Sequence, residues 1–279
     1  MFHRLTVAAA FGAALALLLV APVAAATPHR IVSLSPTATE SLFAIGAGKQ
    51  VVAVDDQSDY PKRAPHTSLS GYTPNVESIA GYRPDLVVLS GNPNDVISGL
   101  QKLGIRVLLQ PAAKNLAGAY AEIRQLGAVT GHGKSANELV RRMKRSIAKA
   151  VASVPKRRLS VYHELDPTYF SATSQTFIGK IYKLFGLRNI ADAADSSASG
   201  YPQLSGEYIL AQNPGLIVLA DTRCCGQSAG TVASRPGWGG IAAVRSHRVI
   251  GIDDSVASRW GPRVVNFVQA VATALKRKT

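Results

Sequence analysis

The sequence has few cysteines and few acidic residues. Its 279 residues include two cysteines, 17 aspartates and glutamates, and 31 lysines and arginines, which gives a formal net charge of +14. A strongly basic chain could bind nucleic acid, anionic lipid or an acidic ligand. No motif here interleaves aromatic with basic residues, so the pattern favours a basic, soluble surface and no nucleic-acid partner. Beyond the N-terminal segment, no apolar run reaches the roughly 20 residues that a membrane-spanning helix needs.

The N-terminal segment has the pattern of a secretory signal peptide. Arg4 precedes an apolar run over residues 5–21, and a stretch of alanines ends at Ala26. We expect cleavage after Ala26, which would remove residues 1–26. Because no cysteine lies near that position, nothing indicates an N-terminal lipid anchor. We therefore expect a free, monomeric protein in an envelope compartment such as the periplasm.

Hydrophobic spacing predicts a long helix from about residue 136 to residue 153. Residues 135–138, with Ser135 first and Glu138 last, have the pattern of a capping box, and Pro155 prevents continuation of the helix. The apolar positions with helical spacing are Leu139, Val140, Met143, Ile147 and Val151.

The predicted helix divides the chain into two parts of similar length. Once the signal peptide is removed, each part is long enough to form its own core. We expect the segment 134–154 to join an N-terminal lobe over residues 27–133 to a C-terminal lobe over residues 155–279.

The two parts share an internal repeat. Residues 75–89 have the pattern of a helix cap, a short helix, a proline turn and a buried strand, and residues 205–219 repeat this order. The repeat indicates two lobes of similar topology.

Short runs rich in valine, isoleucine and leucine alternate with helical stretches, as is typical of parallel sheets covered by helices on both faces. The predicted fold class is therefore α/β, with two Rossmann-like parallel-sheet lobes joined by a single long α-helix. In such sheets ligands lie beyond the carboxyl ends of the strands, so the loops after the strands should line the binding cleft. The predicted strands are 31–34, 51–54, 86–89, 107–109, 159–162, 216–219 and 249–252.

Several segments resemble a known family. Residues 30–40, RIVSLSPTATE, and residues 58–61, SDYP, are similar to segments of the periplasmic binding proteins for vitamin B12, haem and ferric siderophores. The resemblance covers residues 29–275. Residues 201–207 and 259–263 resemble the cobalamin-binding branch of this family.

The resemblance implies a non-enzymatic protein that captures a small-molecule ligand between two lobes and delivers it to the permease dimer of an ABC importer. It implies a cobalamin-like corrinoid as the bound ligand, with haem or a ferric siderophore as the alternative. It implies no cofactor and no metal ion of the protein's own.

The same resemblance implies a set of ligand-binding residues. Gln57, the pair Gly71 and Tyr72, and Tyr201 stand where cobalamin binders typically have aromatic residues, and these departures leave haem and siderophores open as ligands. Asp254 and Arg259 match polar groups that face corrin amides, with an Asp–Arg salt bridge as the alternative interpretation. The full set is Ser35, Pro36, Thr37, Gln57, Gly71, Tyr72, Tyr201, Asp254 and Arg259.

Glu77 and Glu207 occupy the same place in the two repeats, just inside the start of a helix. The resemblance implies that they contact arginines of the permease. The alternative is that each carboxylate only stabilises its helix through the helix dipole.

Two other chemistries have partial motifs. Ser228 lies in a G-x-S-x-G pattern typical of hydrolases, but no strand immediately precedes it, and no histidine follows the acids of the second half. A flexible loop is therefore favoured over a hydrolase. His66, His163 and His247 could converge on a metal ion, although none has close ligand spacing.

Cys224 and Cys225 are adjacent and are the only cysteines. In an oxidising compartment such a pair can form a disulfide with itself, although neighbouring Cα atoms lie closer together than in usual disulfides. We expect the bond to form and to line the cleft of the second lobe.

Overall fold

The computed structural model of the protein describes residues 26–155 and 158–277. Of the predicted signal peptide only Ala26 falls within these residues, so its cleavage stays a prediction. No helix in the described part of the chain is both long and apolar enough to cross a membrane.

The first half of the chain forms a parallel five-stranded sheet with the order β3-β2-β1-β4-β5. Its strands are β1 (Ile31–Leu34), β2 (Val51–Asp55), β3 (His66–Leu69), β4 (Leu86–Leu89) and β5 (Arg106–Leu109). Its helices are α1 (Pro36–Ala44), α2 (Val76–Gly81), α3 (Val96–Lys102) and α4 (Leu116–Val129).

The second half forms a parallel four-stranded sheet with the order β7-β6-β8-β9. Its strands are β6 (Ser160–Glu164), β7 (Arg188–Asn189), β8 (Leu216–Leu219) and β9 (Val249–Gly251). Its helices are α6 (Phe177–Lys183), α7 (Gly206–Gln212), α8 (Thr222–Cys225), α9 (Ala229–Ala233), α10 (Ala242–Arg245), α11 (Asp254–Ser258) and α12 (Val264–Lys276). The predicted fold class is confirmed.

A single long helix, α5 (Gly133–Ala152), lies between the two halves in the sequence. It packs against α4 on one side and α12 on the other, and its buried residues belong to a hydrophobic cluster that also contains Ile31 of β1 and Val161 of β6. The helix therefore packs against one helix from each half, and its apolar face is part of a hydrophobic core that both halves share. The boundaries predicted for the lobes stay predictions.

The predicted capping box at Ser135 is wrong. The chain turns sharply at Gly131, whose φ is +77°, and helix α5 already begins at Gly133 with His132 as its N-cap residue. The amide of Ala136 donates to the His132 carbonyl at 3.0 Å, so Ser135 lies inside the first turn. The turn at the glycine, which sequence spacing did not anticipate, decides where the helix starts.

The repeat is present in the structure. Asn75 caps α2 by accepting a hydrogen bond from the Ser78 amide, and Ser205 caps α7 by accepting one from the Tyr208 amide. Each helix leads into a fully buried strand, β4 or β8. The two strands that the sequence missed, β3 and β7, are edge strands, and both are short and rich in polar residues, so they lack the apolar run that marks a strand.

Candidate functional site

A cavity of about 400 Å³ lies between the two halves, beyond the carboxyl ends of β1 and β2. Loops from both halves line it, as the parallel topology predicts. All the predicted ligand-binding residues except Tyr201 line this cavity: Ser35, Pro36, Thr37, Gln57, Gly71, Tyr72, Asp254 and Arg259.

Tyr201 lies in an adjoining cavity of about 340 Å³, which also has lining residues from both halves. Ser258 and Trp260 line both cavities, so the two form one continuous cleft. Tyr72 is 78% exposed and Tyr201 is 47% exposed, so both rings have faces free for contact with a ligand.

Local sequence explains how the first-lobe rim is built. Ser35 is the N-cap of α1, its hydroxyl accepts a hydrogen bond from the Ala38 amide, and Pro36 occupies the first helical position. A Cβ atom on Gly71 would lie 2.7 Å from Oδ2 of Asp55 and 3.1 Å from the Leu34 carbonyl oxygen. Only glycine lets this loop lie against the end of the sheet, which in turn places Tyr72 at the mouth of the cleft.

Arg259 and Asp254 are not partners of each other among the described contacts. The Arg259 guanidinium donates to Glu40 at 3.1 Å, to Asp59 at 2.8 Å and to the Gln57 carbonyl at 2.8 Å. All three acceptors belong to the first half of the chain. The Asp254–Arg259 salt bridge considered from the sequence is therefore absent from the described residues, and Arg259 instead connects the halves.

Asp254 holds the short helix α8 in place. Its carboxylate accepts hydrogen bonds from the Thr222 hydroxyl at 3.0 Å and from the amides of Arg223 and Cys224 at 3.0 and 2.8 Å. These contacts, rather than a nearby cation, hold the pKa of Asp254 below its usual value despite partial burial, which acts in the opposite direction.

A network of charges crosses the cleft beside the cavity. Glu40 of α1 is buried and pairs with both Arg259 and Arg263, while the exposed Arg223 reaches Asp59 at 3.4 Å. Because these pairs join residues of the two halves, they fix the position of one half relative to the other. The sequence predicted none of these pairings.

Glu77 and Glu207 are both exposed, and each is the second residue of its helix, α2 or α7. The backbone amide of Glu207 and the side chain of Ser205 hydrogen-bond its carboxylate and lower its pKa. Both carboxylates therefore point to solvent from equivalent positions of the repeat, and neither has an ion-pair partner among the described residues.

Ser228 acts as a helix cap. Its hydroxyl accepts a hydrogen bond from the Thr231 amide while the Thr231 hydroxyl accepts one from the Ser228 amide, and together they form a capping box at the start of α9. This accounts for the serine without a hydrolytic role.

The histidines considered as metal ligands lie in different environments. His163 is buried and hydrogen-bonds Tyr182, and burial lowers its pKa to about 3. His66 lies on the edge strand β3, and His247 lies in a turn before β9 with a φ of +51°. None of the three lines the cleft cavities, and no metal-binding group of three suitable side chains occurs within residues 26–155 and 158–277.

Cys224 and Cys225 lie side by side in α8, exposed and next to Asp254. They stand at the rim of the cleft and are not among the residues that line its two cavities. The structure pairs their sulfur atoms, with the two Cα atoms 3.8 Å apart. Formation of the bond in the protein stays a prediction.

The disulfide can be tested by intact mass. We expect the mature protein to weigh two hydrogen masses less before reduction than after it, and to take up iodoacetamide only after reduction. Alkylation of the unreduced protein in denaturant is the control, because it removes any protection due to folding. Two alkylated thiols in the untreated, denatured sample would contradict the prediction.

A second cluster of buried charges lies in the second half. Arg235 donates two hydrogen bonds of 2.6 Å to Glu164, which is fully buried, and the Arg235 guanidinium lies 4.6 Å from the centre of the Trp238 ring. Asp221 is also fully buried, and burial followed by the nearby Glu164 carboxylate raises its pKa. The Arg235 guanidinium thus pairs directly with Glu164 and acts on Asp221 only through its charge.

Two parallel α/β lobes with a lined cleft between them define a solute-binding protein. The profile of the periplasmic binding protein family matches residues 31–256, and the chain belongs to this family. The family consists of substrate-binding proteins, in agreement with the expectation of a non-enzymatic function.

Related proteins extend this assignment. An uncharacterised ABC transporter substrate-binding lipoprotein of Bacillus subtilis, YvrC, is 30% identical over 259 residues, which cover 89% of this chain and 80% of YvrC. A cobalamin-binding protein of Halobacterium salinarum is 30% identical over 262 residues, which cover 90% of this chain and 70% of that protein.

Two solved structures have similar folds. The periplasmic vitamin B12 binding protein BtuF of Vibrio cholerae aligns with a TM-score of 0.72 and 27% identity, covering 89% of this chain and 97% of BtuF. The periplasmic heme-binding protein HutB of Vibrio cholerae aligns with a TM-score of 0.78 and 23% identity, covering 88% of this chain and 98% of HutB. The second likeness is one of fold alone.

Proposed function

We propose that this protein captures a cobalamin-like corrinoid in the cleft between its lobes and delivers it to the permease of an ABC importer. The observation that carries the proposal is the continuous cleft, in which the positions that correspond to the ligand-binding residues of cobalamin binders come together from distant parts of the sequence. The names of the Halobacterium relative and of BtuF from Vibrio cholerae support the same ligand class.

The side chains of the cleft fit a large, flat ring better than a small solute. Tyr72, Tyr201 and Trp260 line its two cavities, and aromatic side chains supply large contact areas to planar ligands. A corrinoid brings its cobalt already held by the ring, so it does not require a metal ligand from the protein. Haem is the alternative, and Tyr72 or Tyr201 would then be the axial ligand.

The ligand can be identified by titration of the purified protein. We expect cyanocobalamin to bind with a Kd below about 1 μM, equivalent to about −8 kcal/mol or stronger. Trp260 in the cleft should report binding by fluorescence quenching, and calorimetry gives the affinity independently. Haemin and a ferric siderophore serve as comparison ligands. No heat and no quenching with saturating cyanocobalamin would refute the proposal.

We also propose that Glu77 and Glu207 are the contacts with the permease. A protein with two similar lobes that binds across a symmetric permease dimer needs an equivalent contact on each lobe, and these two exposed carboxylates occupy equivalent positions. The helix-dipole interpretation explains each glutamate separately, whereas docking to a symmetric permease explains why the two glutamates occupy equivalent positions.

The site of action proposed here is the periplasm, where a monomer released by cleavage after Ala26 would carry the ligand. The Bacillus relative is a lipoprotein, so anchoring differs between these proteins if the cleavage occurs as proposed. N-terminal sequencing of the secreted protein decides between a free and a lipid-modified terminus.

A further inference from the structure

Asp55 is a charged residue of the cleft that the sequence did not indicate. The 400 Å³ cavity has three charged lining residues, Asp55, Asp254 and Arg259. Asp254 accepts three hydrogen bonds from α8, and Arg259 is engaged by acceptors of the first half. Two of the three charged side chains therefore already have hydrogen-bond partners within the protein.

The third group is not satisfied. Asp55 ends β2, is 1% exposed, and its Oδ1 atom has no hydrogen-bond partner in the part of the chain that the structure describes. A buried carboxylate oxygen without a partner is costly, because it has lost its water and gained nothing in return. Burial, the largest cause, raises the pKa of Asp55 to about 6, while hydrogen bonds with Ser58 act in the opposite direction.

The surrounding chain holds this carboxylate in place. The backbone at Gly71 lies against Oδ2 so closely that a Cβ atom would come within 2.7 Å of it. The exposed Asp56 beside it raises the pKa of Asp55 further, whereas the charge of Arg259 lowers this pKa. The carboxylate thus borders the cavity, and its Oδ1 atom is an oxygen for which the described residues supply no partner.

We propose that Asp55 is a specificity-determining residue that accepts a hydrogen bond from an N–H donor of the bound ligand, a primary amide in particular. The inference rests on the proposed function and narrows its ligand class. A corrinoid presents several primary amides around its ring, and a carboxylate accepts from such donors. Haem presents propionates at its edge instead, and a second carboxylate beside Asp55 would repel it.

The first experiment compares Asp55→Ala and Asp55→Asn with Asp56→Asn as the matched control, using cyanocobalamin in calorimetry. Asp56 is the adjacent acid in the sequence, and it is exposed. We expect Asp55→Ala to weaken binding about 10- to 100-fold, as for loss of a hydrogen bond to a charged group. We expect a smaller loss for Asp55→Asn, which keeps one acceptor oxygen, and a change below about twofold for Asp56→Asn. Thermal melts show whether each variant is folded.

The second experiment tests contact directly by exchanging the charge on the ligand. Mild acid hydrolysis of cyanocobalamin yields separable monocarboxylic acids, each with one amide converted to a carboxylate. We expect the wild-type protein to bind one of these isomers at least 10-fold more weakly than the others, because its new carboxylate meets Asp55. Asp55→Asn should restore much of the affinity for that isomer alone. If Asp55 had only a structural role, its replacement would weaken the binding of all isomers equally.

The outcomes separate this inference from the proposed function. If the wild-type protein binds cyanocobalamin but Asp55→Ala and Asp55→Asn bind it as well as Asp56→Asn does, the role of Asp55 is wrong and the proposed function stands. If Asp55→Asn weakens the binding of every monocarboxylic acid by the same factor, the role of Asp55 is also wrong. Wild-type protein that binds haemin and not cyanocobalamin overturns both.

Discussion

Replacing Glu77 and Glu207 together by lysine is expected to abolish uptake of the ligand while leaving ligand binding nearly unchanged. Both side chains are exposed and outside the residues that line the cleft cavities, so neither the hydrophobic core nor the cavity depends on them. If they face arginines of the permease, each lysine replaces an attraction by a repulsion, and like charges across an interface cost several kcal/mol. Transport of labelled cyanocobalamin should fall more than about 10-fold in cells that carry only the variant.

The control is Glu138→Lys, which makes the charge change of one of the two replacements at a partly exposed position of α5. We expect normal uptake with this control and intermediate uptake with each single variant of Glu77 or Glu207. Unimpaired uptake by the double variant would show that these carboxylates are not the docking contacts. Loss of calorimetric binding in parallel with uptake would point to a defect in the protein itself.

Replacing Arg235 by alanine should strongly destabilise the second lobe. It leaves the fully buried Glu164 without its only ion-pair partner within the described residues and Asp221 with a second unpaired acid beside it. Breaking a buried pair in this way costs about 3–5 kcal/mol. For a chain of this size that corresponds to a fall in Tm on the order of 10 °C, measured by circular dichroism.

Two variants make this prediction specific. Arg245→Ala removes an exposed arginine of the same lobe and should change stability by no more than about 0.5 kcal/mol. Adding Glu164→Gln to Arg235→Ala should recover part of the loss, because it removes the buried charge left behind. A melting temperature for Arg235→Ala equal to that of Arg245→Ala would mean that the pair contributes little.

The parts of the site that sequence analysis predicted correctly depend on near neighbours in the chain. Ser35 and Pro36 start helix α1 at the cleft. Ser35 accepts a hydrogen bond from the amide of Ala38, three residues along the chain, so the signal is local. The capping box at Ser135 failed although its pattern is equally local. The turn at Gly131 had already started the helix, and a residue outside the motif decided the outcome.

The missed residues lack a local signal altogether. Asp55 and Asp56 are adjacent acids, and nothing in the sequence distinguishes the buried one from the exposed one. The difference comes from Gly71, which covers the first carboxylate from a loop after the next strand. In the same way, Arg259 pairs with Glu40 of α1, which lies at the other end of the sequence.

The sequence by itself determined the fold class, the apolar parallel strands, the internal repeat and the equivalent glutamates, because hydrophobic period, caps and turns act over a few residues and recur in order along the chain. Only the tertiary structure decided which polar groups of the cleft are already satisfied and which one is left for a ligand. Hydrogen bonding in a closed cleft depends on what lies opposite each atom, and for Asp55, Asp254 and Arg259 those neighbours come from segments that are distant in sequence and meet only when both lobes are assembled.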